Sequence, residues 1–176
     1  MAYQYIKVDR EGPVTIITLN RPEVMNAMHS PAHFEMDEAL NAFAADDGQW
    51  VGIVTGAGER AFSAGNDLKH QASGGVMKSP PSGFAGLTSR FDLAKPLIAA
   101  VNGVAMGGGF EIALACDIIL ASGAGVFALP EPRVGLAALA GGLHRLPRAI
   151  GTKRAMGMIL TARRVSPAEG KELGFV

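Results

Sequence analysis

Three consecutive glycines, Gly107–Gly109, directly precede an apolar run in the stretch VNGVAMGGGFEIALACD, residues 101–117. Glycine costs a helix about 1 kcal/mol relative to alanine, so a triplet at a helix start needs a reason. A helix N-terminus exposes unpaired N–H groups and a partial positive charge, and glycines let a ligand come close to them. The triplet therefore predicts an anion or oxyanion site, with close helix–strand packing as the simpler alternative.

A second backbone turn supports the prediction of an oxyanion site. The stretch RAFSAGNDLKH, residues 60–70, reads as a short apolar strand followed by the turn Ala64-Gly65-Asn66-Asp67. Asn66 follows a glycine in a sharp turn, where its N–H can point outward. Two backbone N–H groups from separate segments form an oxyanion hole, which stabilises negative charge on a reacting carbonyl oxygen. On its own, this stretch indicates only a turn.

Two glutamates lie in apolar surroundings near these glycines. Glu111 is in the first turn of the helix after the triplet, and Glu131 lies between two prolines in FALPEPRVGL. Burial raises the pKa of a carboxyl group and suits it to proton transfer near neutral pH. For either acid alone, a helix-dipole or salt-bridged surface role is the simpler interpretation. Together with the glycine turns, the two acids fit a general acid/base pair.

Two further motifs point to other kinds of enzyme. GAGERA, residues 56–61, matches a dinucleotide-binding pattern after a strand, but no helix follows it and no acid stands about 20 residues further on. AFSAG, residues 61–65, resembles a nucleophile elbow around Ser63, although the leading glycine is absent. With His70 or His144 as base, a serine hydrolase remains a weak alternative.

The histidine spacing does not predict a metal site. His29 and His33 are four residues apart, but a zinc site needs a third ligand and no H-E-x-x-H motif is present. We expect both to be ordinary surface histidines.

Composition narrows the class of protein. The 176 residues suit one domain, and 48% are hydrophobic while 18% are charged, below the roughly 25% charged residues of an average soluble protein. Sixteen acids balance sixteen bases without a basic stripe, which argues against nucleic acid as a partner. The start MAYQYIKVDREG is unlike a signal peptide, and no apolar run reaches the ~20 residues of a membrane span. The single cysteine, Cys116, lies in an apolar stretch, as a buried thiol in a reducing compartment does. We expect a cytoplasmic protein.

The order of the elements favours an α/β domain of stacked ββα units. Strands are expected at 3–8, 13–19, 50–56, 97–101, 117–121 and 126–129, and helices at 30–46, from the glycine triplet to about 115, and at 141–150, 152–161 and 167–173. The Gly-, Ser- and Pro-rich stretch 64–86 is expected to be a mobile surface loop.

Five motifs occur in order: ITLNRPEVMNAM, RAFSAGNDLK, VNGVAMGGGFEIALACD, FALPEPRVGL and GGLHRLP. In this combination the chain resembles the crotonase (enoyl-CoA hydratase/isomerase) superfamily over essentially its whole length. It looks closest to enoyl-CoA hydratases, including the carnitinyl-CoA dehydratase type. The resemblance implies a spiral of stacked ββα units in one core domain, residues 1–176, and an acyl-CoA thioester substrate. It implies neither a metal nor a cofactor apart from the CoA of the substrate, and a homotrimer or a dimer of trimers. Family members usually continue past Val176 into a C-terminal helical trimerisation segment, so we expect this chain to be truncated.

The resemblance also implies roles for particular residues. The oxyanion N–H groups would come from Asn66 and Gly108, and Glu111 and Glu131 match the two hydratase glutamates that hold a water between them. The substrate would contact Val24, Ala27, Ala64, Asn66, Asp67, Leu68, Lys69, Gly107, Gly108, Glu131 and Leu139. The resulting hypothesis is an enoyl-CoA hydratase, a hydro-lyase. The alternatives are another reaction of the family, such as enoyl-CoA isomerisation, and a non-catalytic acyl-CoA-binding or subunit module.

Overall fold

The computed structural model describes residues 3–176, in which eight strands and six α-helices are formed. The strands are β1 (Ile6–Glu11), β2 (Val14–Leu19), β3 (Val51–Gly56), β4 (Ala61–Ser63), β5 (Leu97–Val101), β6 (Val104–Met106), β7 (Ile118–Ala121) and β8 (Val126–Ala128). The helices are α1 (Ser30–Ala45), α2 (Leu68–Ala72), α3 (Gly108–Ala115), α4 (Gly142–Ile150), α5 (Thr152–Thr161) and α6 (Pro167–Leu173). Short 3-10 helices span Pro22–Val24, Phe84–Gly86 and Glu131–Val134.

The strands form two sheets. The larger has the order β1-β2-β3-β5-β7, in which β1 is antiparallel to β2 and the other pairs are parallel. The smaller, β4-β6-β8, is parallel. From β3 to β8 the chain alternates between the sheets, so each turn of the chain adds one strand to each. This is the spiral of ββα units that the sequence predicts.

Register places one buried residue from each of four neighbouring strands of the larger sheet in a row. Ile17 pairs with Val54, Val54 with Ala99, and Ala99 with Ile119, and all four are buried. These side chains belong to the same apolar core as the inward face of α1, which contributes Met36, Leu40 and Phe43. Burial of this face fixes the sheet, because a slip of one residue would turn every core side chain outward.

The stretch 64–86, expected to be a mobile surface loop, contains α2 and the 3-10 helix at Phe84–Gly86. The Asp67 carboxylate caps α2 by accepting a hydrogen bond from the N–H of His70. At the far end of the stretch, Gly86 adopts a positive φ, and a Cβ there would meet the backbone of Asp37 in α1. Just beyond it, Arg90 forms an ion pair with Asp37. The chain around Gly86 and Arg90 is therefore packed against α1.

The expectation of surface histidines at positions 29 and 33 is also wrong. His29 is buried and His33 is fully buried on α1. The Nδ1 atom of His33 accepts a hydrogen bond from the N–H of Ala85 at 2.9 Å. Burial lowers the pKa of His33 to about 4, with a smaller contribution from the nearby His29. His33 is therefore a neutral core residue that fastens the segment around Ala85 to α1.

Candidate active site

Each glycine of the triplet has a separate steric reason. Gly107 has a φ of +52°, and a Cβ there would lie 2.8 Å from Oε1 of Glu131. A Cβ on Gly108 would run into the ring of Phe84, and one on Gly109 would run into the carbonyl oxygen of Ser63. Close packing accounts for all three glycines, and the same packing brings the start of α3 close to β4 and to Glu131.

Two backbone N–H groups meet next to the triplet. Gly65 has a φ of +88°, and a Cβ there would lie 2.8 Å from the backbone nitrogen of Gly108. The turn that carries Asn66 therefore packs directly on the N-terminus of α3. Within residues 3–176, neither the Asn66 N–H nor the Gly108 N–H donates a hydrogen bond. Both remain available to an acceptor such as a carbonyl oxygen.

The Asn66 turn is held from the side by the segment before α1. The Met28 N–H donates to the carbonyl of Gly65 at 2.7 Å, and the Asp67 N–H donates to the carbonyl of Met28 at 2.9 Å. The Asp67 carboxylate also forms a buried ion pair with Arg21 at 2.9 Å. These bonds bracket Asn66 on both sides and fix the direction of its backbone.

Glu111 is a buried carboxyl group on α3, with 3% of its surface exposed. Its Oε1 accepts a hydrogen bond from the N–H of Gly142, the first residue of α4, at 2.9 Å. The pKa of Glu111 is raised to about 7, mainly by burial and in smaller part by the charge of Glu131, while the hydrogen bond from Gly142 opposes the rise. A carboxyl group with a pKa near neutrality can both give and accept a proton.

Glu131 begins the 3-10 helix that follows β8. Burial raises the pKa of this carboxyl group as well. Its Oε2 atom is buried and has no hydrogen-bond partner among the residues that the structure describes. The two acids thus differ, because one oxygen of Glu111 is bonded to α4 whereas Glu131 has an unpaired oxygen.

The candidate groups lie at one edge of the smaller sheet. Asn66 follows β4, Gly108 follows β6 and Glu131 follows β8, and these three parallel strands are neighbours in the order β4-β6-β8. The carboxyl ends of parallel strands share one edge of a sheet, the usual place for ligands in such folds. The sequence motifs, spread over about half the chain, therefore converge at this edge.

The structure brings most of the predicted contact residues together around a cleft and an adjoining cavity of about 270 Å³. The cleft is lined by Val24, Ala27, Ala64, Asn66, Asp67, Leu68 and Lys69 of the predicted set, and the cavity by Ala64, Asn66, Leu68, Gly107, Gly108 and Glu131. Glu111 lines neither of them; it lies on α3, three residues after the lining residue Gly108. The roles of these residues in binding remain predictions.

Leu139 is the predicted contact residue that the structure does not bring to the cavity. It is 81% exposed, and Leu136 and Val134 line the cavity instead.

Sequence reasoning missed several lining residues. These are Glu23, Met25 and Arg60 in the cleft, and Pro130, Arg133, Val134 and Leu136 in the cavity. The residues at 133 and 134 belong to the same short helix as Glu131, so the motif PEPRVGL contained the signal for them.

The structure argues against the competing motifs. Ser63 is fully buried, and its hydroxyl donates to the carbonyl of Asn26 at 2.8 Å, so it is not presented as a nucleophile. The GAGERA stretch leads from β3 into β4 and not into a helix, as a dinucleotide site requires. Over residues 3–176, no group of three or more potential metal-ligating side chains is assembled, and no helix is long and apolar enough to cross a membrane.

Comparisons with known proteins identify the family of the chain. Residues 9–176 match the family model described as enoyl-CoA hydratase/isomerase. The chain is 46% identical over 173 residues to a carnitinyl-CoA dehydratase of Salmonella arizonae, covering 97% of this chain and 66% of that protein. The chain thus spans slightly less than two thirds of the length of the curated relatives it matches.

Solved structures show the same similarity. A carnitinyl-CoA dehydratase of Mycobacterium avium superposes with a TM-score of 0.93 at 39% identity, over 98% of this chain and 68% of that one. An enoyl-CoA hydratase of Mycobacterium marinum superposes with a TM-score of 0.92 at 41% identity, over 98% and 67% respectively. By sequence and by fold, the chain belongs to the enoyl-CoA hydratase/isomerase family.

Proposed function

We propose that this protein hydrates 2-enoyl-CoA thioesters, or dehydrates the corresponding 3-hydroxyacyl-CoA in reverse. One observation carries the proposal: the carboxyl groups of Glu111, which is buried, and Glu131, which is half-buried, have raised pKa values. They are carried by α3 and by the 3-10 helix after β8, the segments that follow the carboxyl ends of β6 and β8, next to the free N–H groups of Asn66 and Gly108. Family membership and relatives named carnitinyl-CoA dehydratase and enoyl-CoA hydratase support a reaction of the hydratase type.

In the proposed reaction, the N–H groups of Asn66 and Gly108 donate to the thioester oxygen. One glutamate removes a proton from a water molecule, whose oxygen bonds to C3 of the acyl group. The electron pair of the C2=C3 bond moves toward the thioester carbonyl and forms an enolate, which the two N–H groups stabilise. That proton, or one from the second glutamate, is then delivered to C2, and the carbonyl is restored. No electrons leave the substrate, so the step needs no cofactor beyond the CoA itself.

The cleft is proposed to receive the CoA portion. Arg60 and Lys69 both line it and supply positive charge for phosphate groups. Asp67 also lines the cleft, but its carboxylate pairs with Arg21 and accepts a hydrogen bond from the N–H of His70 as the cap of α2. We therefore propose a structural role for the Asp67 side chain and a binding role for the two cations.

The direct test follows the ultraviolet absorbance of crotonyl-CoA after the protein is added, with the product identified by mass. We expect the conjugated band to disappear as one water is gained. Glu111→Gln and Glu131→Gln should each lower kcat by about 10²–10⁴-fold, the usual contribution of general acid/base catalysis. Glu172→Gln, at an exposed position on α6, is the matched control and should keep the wild-type rate.

Other outcomes of this assay correspond to the other hypotheses. Movement of the double bond without gain of water would indicate an isomerase. Binding of crotonyl-CoA without any turnover, with both glutamate variants binding equally well, would indicate an acyl-CoA-binding module. An unchanged rate in either glutamate variant would remove that residue from the mechanism.

We also propose that copies of this chain associate as a trimer or a pair of trimers. Four large apolar side chains on or next to α4 and α5 are partly or largely exposed: Leu139, Leu143, Met156 and Leu160. Exposed apolar surface of this kind marks an interface in many proteins. Light scattering coupled to size-exclusion chromatography tests the assembly, and a monomer at micromolar concentration would contradict it.

A further inference from the structure

Arg145 on α4 is a half-buried cation that the proposed hydration leaves without a role. Its Nη2 atom donates to the backbone carbonyl of Thr88 at 2.9 Å. Its Nη1 atom is buried and finds no acceptor among residues 3–176. A buried donor without a partner lowers the stability of a protein, so its presence calls for an explanation.

On one side, Arg145 packs on the turn that holds Glu111. Gly141 has a φ of +114°, and a Cβ there would run into Nη1 of Arg145. The backbone N–H of Arg145 also donates to the carbonyl of Gly141 at 2.8 Å. The next residue, Gly142, donates its N–H to Oε1 of Glu111 at 2.9 Å. The guanidinium group therefore covers the turn whose N–H fixes one oxygen of the Glu111 carboxyl group.

On the other side, Arg145 reaches the segment that packs on Gly108. Thr88, whose carbonyl accepts from Arg145, also accepts a hydrogen bond through its Oγ1 from the N–H of Phe84 at 2.9 Å. A Cβ on Gly108 would run into the ring of Phe84, so this ring lies against the proposed oxyanion residue. Direct contacts thus connect Arg145 to the acid on one side and to the oxyanion site on the other.

The charge of Arg145 also acts on Glu111. Burial raises the pKa of Glu111 to about 7, and of the charged groups around it Glu131 raises the pKa whereas Arg145 lowers it. The interaction is mutual, because burial lowers the pKa of Arg145 and the charge of Glu111 opposes that effect. Loss of the positive charge should therefore raise the pKa of Glu111.

Building on the proposed hydratase function, we propose that Arg145 is a positioning residue that holds the Gly141–Gly142 turn to the Thr88 segment and so fixes Glu111 relative to the N–H of Gly108. Arg145 lines neither the cleft nor the cavity, so it acts through these two segments and not by contact with the substrate. A displacement of about 1 Å at a catalytic group is enough to lower turnover about 10²-fold.

Arg145→Gln removes the charge and shortens the side chain. We expect kcat for crotonyl-CoA to fall about 10–100-fold while KM changes little, because the groups that contact the substrate remain. The limb of the kcat–pH profile that disappears in Glu111→Gln should move to higher pH. Arg145→Lys keeps the charge and should restore the position of this limb. It should recover only part of kcat, because an ammonium group lacks the planar fork that both covers Gly141 and bonds Thr88.

Arg148→Gln is the matched control on the same helix. Arg148 is exposed, and its guanidinium contacts only His144 of α4. This variant loses the same charge from α4 without a contact to the turn or to the Thr88 segment. It should keep the wild-type kcat and the wild-type pH profile.

Thr88→Val tests the other end of the connection. It removes the acceptor for the N–H of Phe84 and leaves the charge of Arg145 in place. We expect a lower kcat with the pH profile unmoved. In the double variant with Arg145→Gln, the loss in kcat should be smaller than the product of the two separate losses, because connected residues do not act independently. Circular dichroism verifies that each variant is folded, and Thr88→Val decides the question if Arg145→Gln does not fold.

The outcomes separate this inference from the proposed function. If Arg145→Gln or Thr88→Val turns over crotonyl-CoA at the wild-type kcat, the inference is overturned and the hydratase function stands. A change in KM alone also overturns it, since Arg145 would then serve substrate binding. If the wild-type protein does not hydrate crotonyl-CoA, the hydratase function fails. Nuclear magnetic resonance then decides the positioning role: Arg145→Gln should shift the amide signal of Gly142 and move the titration of the Glu111 carboxyl carbon to higher pH. If both signals stay unchanged, the positioning role is refuted.

Discussion

Glu111→Gln should change how the stability of the protein depends on pH. In the folded state the Glu111 pKa is about 7, against an ordinary value of 4.5, because the group is buried. The folded protein therefore holds a proton that the unfolded chain releases. The resulting stabilisation is fully present below pH 4.5 and is lost as the pH rises through 7. Glutamine resembles the protonated form and removes this dependence.

The size of this change in stability follows from the shift in the pKa of Glu111. At about 1.36 kcal/mol per pKa unit, the free energy of unfolding of the variant relative to wild type should rise by about 2.5 kcal/mol between pH 5 and pH 8. Other groups titrate in this range, so the quantity to measure is the difference between variant and wild type at each pH. Urea unfolding followed by circular dichroism gives this difference, with Glu172→Gln as control.

A difference that stays constant with pH would refute this reasoning, since it would mean that the folded carboxyl group titrates like a solvated one. The same variant should also lose most of its hydratase turnover. Higher stability at pH 8 together with lost turnover would show that a destabilising charge is kept for catalysis and not for folding.

Three further changes test other parts of the structure. Gly109→Ala should lower the free energy of unfolding by about 1–3 kcal/mol or more, because the added Cβ meets the backbone of β4. Gly157 is exposed on α5 with open space around it, so Gly157→Ala should raise the free energy of unfolding by about 0.5–1 kcal/mol. Equal effects of the two variants in urea unfolding would contradict this expectation. Asp67→Asn removes one partner of the buried ion pair with Arg21 and should cost about 3 kcal/mol, so an unchanged melting temperature would argue against a structural role for that pair. Because the pKa of His33 is lowered to about 4, its contribution to stability is present above pH 6.5 and is lost as the pH falls toward 4. His33→Asn should therefore lower the free energy of unfolding less at pH 4.5 than at pH 7. An equal loss at both pH values in urea unfolding would contradict a neutral buried histidine.

The parts of the fold that follow local rules could be predicted from the sequence. The Ser30-Pro31 pair begins α1, and short apolar runs bounded by turns form the strands. The glycine triplet and Glu111 could be singled out because their residue types are unusual for a helix start, and their role in a site stays a prediction. The sequence does not predict that Asn66 and Gly108 lie beside each other, because this depends on the order of strands in the smaller sheet and no local pattern contains that order.

The error at His33 has a physical cause. His33 reads as a surface residue because histidine is polar, but the segment at 84–86 covers it, and Ala85 of that segment is 52 positions away in the chain. A single sequence does not display such tertiary contacts. The contact role of Leu139, which is exposed here, stays a prediction.

The order β4-β6-β8 also sets the dimensions of the candidate site. Neighbouring strands lie about 4.8 Å apart, so groups carried at the ends of three adjacent strands extend over about 10 Å. Asn66, Gly108 and Glu131 follow the strand ends by two or three residues, so the sheet sets the coarse spacing and the turns after β4, β6 and β8 set the fine one. Under the proposed function, a substitution in one of these turns would displace a single group while the hydrogen-bonded sheet holds the other two in place.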